Sequence, residues 1–106
     1  MTTVSFRESE GVLLGFTASG HSGYADEGED IVCAAISSAT LMAANTITEI
    51  LQLKPDITAN DDGFLSLDLS KPDAETARVV LEGLRLHLVA LSQEYKRFLK
   101  VKISEV

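Results

Sequence analysis

The residues best suited to chemistry in this chain are its single cysteine, Cys33, and His21, one of two histidines, twelve positions before it. A thiolate nucleophile needs a base that can approach the sulfur and an electropositive setting that favours the charged form. The segment Gly20-His21-Ser22-Gly23-Tyr24-Ala25-Asp26-Glu27-Gly28-Glu29-Asp30-Ile31-Val32-Cys33 offers both. Gly20, Gly23 and Gly28 permit the sharp backbone path that would bring His21 back to the thiol. Asp30 reads as a helix N-cap, which makes Cys33 the third helical residue. Its sulfur would then lie in the first turn, where unpaired N–H groups and the helix dipole favour negative charge and can help hold an oxyanion. His21 would act first as base and later as acid.

Each of these residues also has a plainer reading. Cys33 follows Ile31-Val32 and suits a buried core position. His21 suits a turn, Asp30 a simple cap, and the glycines ordinary turn positions. His87 is the competing base, but its spacing from Leu84 and Leu91 puts it at the edge of an inward helix face. His21 and Cys33 supply two ligands where structural zinc needs about four, so no metal is implied. No Gly-Lys-Ser/Thr follows the glycines, so they form no phosphate loop.

Four acids, Asp26, Glu27, Glu29 and Asp30, oppose formation of a thiolate at Cys33. They must point away, be outweighed by the helix end and His21, or be neutralised by a basic substrate. The last possibility casts the acidic loop as a recognition element for a basic chain.

The elements that must position this segment follow from the rest of the chain. Its 106 residues make one domain, 1–106. The formal net charge of −7 argues against general nucleic-acid binding, which relies on Lys and Arg. Polar residues interrupt the apolar stretch from Ile31 to Leu53, so it reads as a buried helix rather than a membrane span. The N-terminus lacks the pattern of a signal peptide. A lone cysteine makes no internal disulfide, so a cytoplasmic setting is expected.

Val4 to Ser9 alternates, Glu10-Gly11 reads as a turn, and Val12 to Ala18 completes a hairpin. Ser19 to Asp30 is a glycine-rich loop, and Ile31 to Leu53 is a helix ended by Lys54-Pro55. Ile57 to Ala59 and Phe64 to Leu69 flank Asn60-Asp61-Asp62-Gly63 as a second hairpin. Ser70 and Pro72-Asp73 open a second helix, whose apolar positions from Ala77 to Tyr95 recur every three or four residues. Leu99 to Ser104 alternates as a last strand. The fold expected is α+β, order ββαββαβ: a mainly antiparallel sheet of about five strands with two helices packed on it. The first helix carries one formal charge, Glu49, in 23 residues. Its outer face is therefore expected to be covered as well, by a second copy of the chain.

Taken together, Gly20-His21-Ser22-Gly23-Tyr24-Ala25, Gly28 and Asp30-Ile31-Val32-Cys33-Ala34-Ala35-Ile36-Ser37 resemble the signature of the ribosomal-processing cysteine proteases of the Prp family. The resemblance implies a cytoplasmic bacterial endopeptidase, often a homodimer, that needs no cofactor. Its substrate would be large-subunit ribosomal protein twenty-seven, from which the family removes a short N-terminal extension by cutting after an aromatic residue. It assigns the catalytic pair to His21 and Cys33 and matches Asp30 as orienter or cap. Gly20, Ser22, Gly23, Gly28 and Ser37 fall in the substrate-binding loop and helix. No membrane and no direct nucleic-acid contact are implied. Two other classes stay open: a non-enzymatic assembly factor binding a basic ribosomal protein through the acidic loop, and a thiol redox sensor using Cys33 alone.

Overall fold

The computed structural model describes residues 1–20, 29–60 and 63–106. The chain opens with strands β1 (Thr2–Ser9) and β2 (Val12–Ser19). They are joined at Glu10 and Gly11, both at positive φ, the backbone pair that suits a tight hairpin. Helix α1 (Glu29–Asn45) follows and runs into a π-helical segment, Thr46–Ile50. A second hairpin, β3 (Asp56–Asn60) and β4 (Phe64–Asp68), precedes helices α2 (Lys71–Thr76) and α3 (Arg78–Glu94) and strand β5 (Leu99–Glu105). The five strands form one sheet in the order β3-β4-β2-β1-β5.

The α+β class is as expected, with two corrections. The sheet is mixed, because β5 runs parallel to β1, from Thr2 beside Leu99 to Glu8 beside Glu105. Helix α3 crosses the sheet and returns the chain to the end where β1 begins, so β5 must run the same way as β1. The expected second helix is two helices, broken at Ala77 (φ −89°, ψ 7°). Ala74 and Ala77 are both fully buried at this bend, and it keeps them and Leu81, Leu84 and Leu88 on the twisted sheet. The helix start is as read: the Ser70 hydroxyl accepts from the N–H of Asp73 at 3.4 Å, with Pro72 in the first turn.

The first helix also differs at both ends from the expected Ile31–Leu53. Its regular α geometry stops at Asn45. Hydroxyls compete for carbonyls there: Thr46 donates to Met42 O at 2.7 Å and Thr48 to Ala44 O at 3.2 Å. The ladder widens, with Leu51 N–H reaching Thr46 O at 2.9 Å, and Gln52 ends it at φ 57°. Termination thus comes before Lys54-Pro55. By length and composition alone Ile31–Ile50 could cross a bilayer. Its Val32, Ile36, Ala43, Ala44 and Ile47 instead pack into the same core as the sheet.

That core is set by strand parity. Val4 and Phe6 of β1 face Phe16 and Ala18 of β2 and Leu67 of β4, and the helices close over them. Phe6 and Phe16 are register partners with ring centroids 6.1 Å apart. A polar cluster crosses three strands. The Arg7 Nε donates to Asp68 Oδ1 at 2.6 Å and its guanidinium also donates to Thr17 Oγ1 at 2.8 Å. Gly15 stands between Arg7 and Asp68 in register, and its missing side chain lets the backbone of β4 approach closely.

Candidate functional site

Cys33 lies in α1 with its side chain half-buried. The helix begins at Glu29, so Asp30 sits inside the first turn instead of capping it, and Cys33 is the fifth helical residue rather than the third. The unpaired first-turn N–H groups therefore belong mostly to residues before Cys33. The Cα–Cβ bond of Cys33 tilts toward that end, as every such bond in a helix does.

Cys33 lines a cavity of about 350 Å³ between α1 and the sheet. One wall is the helix: Ile36, Ser37, Thr40 and Leu41 recur at the three- and four-residue spacing that shares a face. The opposite wall is Ala18 of β2 and the second hairpin, with Ala59, Gly63, Phe64 and Leu65. Thr2 and Gly20 close the end beside the thiol. The lining is mainly apolar with a few polar groups, as in sites that seat a side chain and orient its backbone. Thr40 adds no free hydroxyl, since its Oγ1 donates to Ile36 O at 2.9 Å.

Of the residues singled out from the sequence, Cys33, Gly20 and Ser37 line this one cavity. Ser37 is exposed, one helical turn beyond Cys33. Gly20 has φ 91°, and a Cβ there would lie 2.8 Å from Met1 O, so the position needs glycine. His21, Ser22, Gly23 and Gly28 lie outside the described residues. His87, the competing base, is exposed and lines a separate groove with Met42, Val79 and Gly83. Among the described residues no group of three or more metal-ligating side chains gathers.

Sequence reasoning missed Thr2 and the hairpin wall. Thr2 is only 5% exposed, and its hydroxyl lies 3.6 Å from Cys33 Sγ. A signal existed: Thr2 shares parity with Val4 and Phe6, so a polar residue stands on the buried stripe. Its partner is 31 positions away, beyond the reach of local pattern.

The family model described as cysteine protease Prp matches residues 1–100. The chain is 28% identical over 94 residues to the ribosomal processing cysteine protease Prp of Bacillus subtilis strain 168, covering 84% of each. The essential ribosomal processing protease Prp of S. aureus, solved with a substrate peptide, superposes with a TM-score of 0.88 at 24% identity. The match covers 98% of this chain and 100% of that one. A Streptococcus mutans protein superposes equally well, at 0.88 and 24% identity over 100% of this chain and 99% of that one. At such identities these superpositions speak to the fold.

Proposed function

Because this chain belongs to the Prp family of cysteine proteases, we propose that it is the endopeptidase that removes the N-terminal extension of large-subunit ribosomal protein twenty-seven in its host. The observation that carries the reading is the position of Cys33, a half-buried thiol near the start of α1 opening into an apolar cavity. In the reaction, Cys33 Sγ attacks the scissile carbonyl carbon while His21 takes the thiol proton. The tetrahedral intermediate collapses to a thioester, and His21 returns the proton to the departing amine. Water, deprotonated by His21, then cleaves the thioester and regenerates the thiol. Support for His21 is its place in the motif, twelve residues before Cys33. Asp30, in the first turn of α1, is assigned to the site as an orienter on the same motif.

The cavity between Ile36, Leu41, Phe64 and Leu65 is assigned to the aromatic residue before the cut, and Ser37, which lines it, to the substrate backbone. The working form is a cytoplasmic homodimer. Support for the dimer is the groove of about 660 Å³ between α1 and α3, lined by Ala35, Ala39, Met42, Val79, Gly83 and His87. Val79 there is 85% exposed. A second copy would cover this face and leave the Cys33 cavity, which other residues line, open to substrate.

The test is to incubate the protein with the host's full-length ribosomal protein and weigh the products. Wild type should yield one truncated chain and one short peptide, and Cys33→Ala should yield neither while keeping its circular dichroism spectrum. Cleavage by Cys33→Ala, or an intact substrate that merely co-purifies with wild type, would replace this reading with that of a binding factor.

A further inference from the structure

We propose that Thr2 is a positioning residue for the Cys33 thiol, acting through a hydroxyl that bridges Cys33 Sγ and the carbonyl of Gly20. This rests on the reading of Cys33 as nucleophile. Thr2 is held at the first position of β1, with its N–H donating to Phe98 O at 2.9 Å. Its side chain is nearly buried, and its Oγ1 lies 3.0 Å from Gly20 O and 3.6 Å from Cys33 Sγ. The bridge therefore joins the glycine that precedes His21 in sequence to the cysteine that ends the motif.

The proton count fixes the direction of each bond. A hydroxyl has one proton and can accept twice. A carbonyl oxygen only accepts, so the Thr2 proton goes to Gly20 O. The neutral thiol must then donate to Thr2 Oγ1, and the chain runs S–H to O–H to O=C. A thiolate has no proton to give, and a lone pair facing it would repel. The hydroxyl then turns and donates to sulfur, leaving Gly20 O to water. Gly20 is exposed, so its carbonyl can be solvated at little cost. The bond given up at sulfur is weak, because S–H is a poor donor. The bond gained is to a charged acceptor and about twice as strong as a neutral one, and water replaces the bond at Gly20 O. Thr2 thus meets the sulfur in either state and holds it facing the cavity.

The position tests cleanly, because Cys33 is the only cysteine and every alkylation event reports on it. Thr2→Val keeps the shape and removes the hydroxyl, whereas Thr2→Ser keeps the hydroxyl and removes a methyl. Two readouts are taken at neutral pH: the rate of iodoacetamide alkylation without substrate, and kcat and KM on a matching peptide. Thr2→Val should alkylate about fivefold more slowly and lose kcat by a similar factor or more, with KM within about twofold, and Thr2→Ser should stay near wild type in all three. Alkylation and kcat at wild-type levels in Thr2→Val would overturn the proposal. So would Thr2→Ser matching Thr2→Val, since shape rather than the hydroxyl would then be responsible. Should Val at position 2 prevent folding, Thr2→Ala against Thr2→Ser carries the same comparison. If wild type cleaves nothing, the protease reading fails, while the alkylation series still decides the role of Thr2.

Discussion

Replacing Gly15 by Ala should cost this fold about 3 kcal/mol, although the same change elsewhere is often favourable. A Cβ at Gly15 would stand 2.0 Å from Leu67 O, 2.9 Å from the Asp68 Cα and 2.9 Å from Asp68 Oδ1. The first two are backbone atoms of the paired strand β4, which no rotamer change can move. Since Cβ atoms essentially never come within 3.0 Å of such neighbours, β4 must retreat by about 1 Å. The ladder bond from Leu69 N–H to Leu14 O, at 2.9 Å, would stretch past a useful length. The Arg7–Asp68 contact at 2.6 Å would be disturbed with it.

Overpacking strain of ~1–3 kcal/mol and one or two ladder bonds at ~1 kcal/mol each oppose the change. The gain from a stiffer unfolded chain is only ~0.4–1 kcal/mol. The balance is a loss of about 3 kcal/mol, or a fall in Tm of about 15 °C for a chain this size. Urea unfolding followed by far-UV circular dichroism measures it, as the chain has no tryptophan. Gly83→Ala in α3 is the control. Nothing lies within 4 Å of its Cβ position, so it should gain ~0.5–1 kcal/mol when the chain is dilute enough to be monomeric. A loss under about 1 kcal/mol at Gly15 would refute the argument that β4 cannot yield. Because β2 and β4 carry Ala18 and Leu65 of the cavity wall, cleavage should fall in proportion to unfolding.

The remaining expectations concern recognition and assembly. Raising ionic strength from ~0.1 to ~1 M shortens the screening length from ~10 to ~3 Å, so kcat/KM on a basic substrate should fall about tenfold or more. A flat salt response would remove the acidic loop from recognition. Val79→Glu places a charge in the groove beside Met42 and His87, and sedimentation velocity should show monomers where wild type sediments as a dimer. A monomeric wild type, or a dimer unmoved by the charge, would leave the groove without that partner.

Much of the fold was legible because its signals are local. Alternation marked β1, β4 and β5, and Glu10-Gly11 marked the first hairpin turn, with β2 following it. Ser70 before Lys71-Pro72 marked the start of α2 through a cap whose partner is three residues away. The apolar run from Ile31 marked a helix, and exposed Met42 on it lines a groove with Val79. The end of α1 was misjudged because Pro55 is a conspicuous stop, whereas threonine hydroxyls competing for carbonyls act within the helix itself.

For the chemistry, the sequence by itself determined the motif around Cys33 and the family, because residue type and spacing along one segment are covalent facts. The tertiary structure alone decided what surrounds the sulfur. It turned β5 parallel to β1, bent the second helix at Ala77 and set Phe64 and Leu65 in the cavity wall facing α1. It also set the hydroxyl of Thr2 beside a thiol 31 positions away. Such contacts arise from packing one buried face against another, and no local propensity encodes which distant residues will meet there.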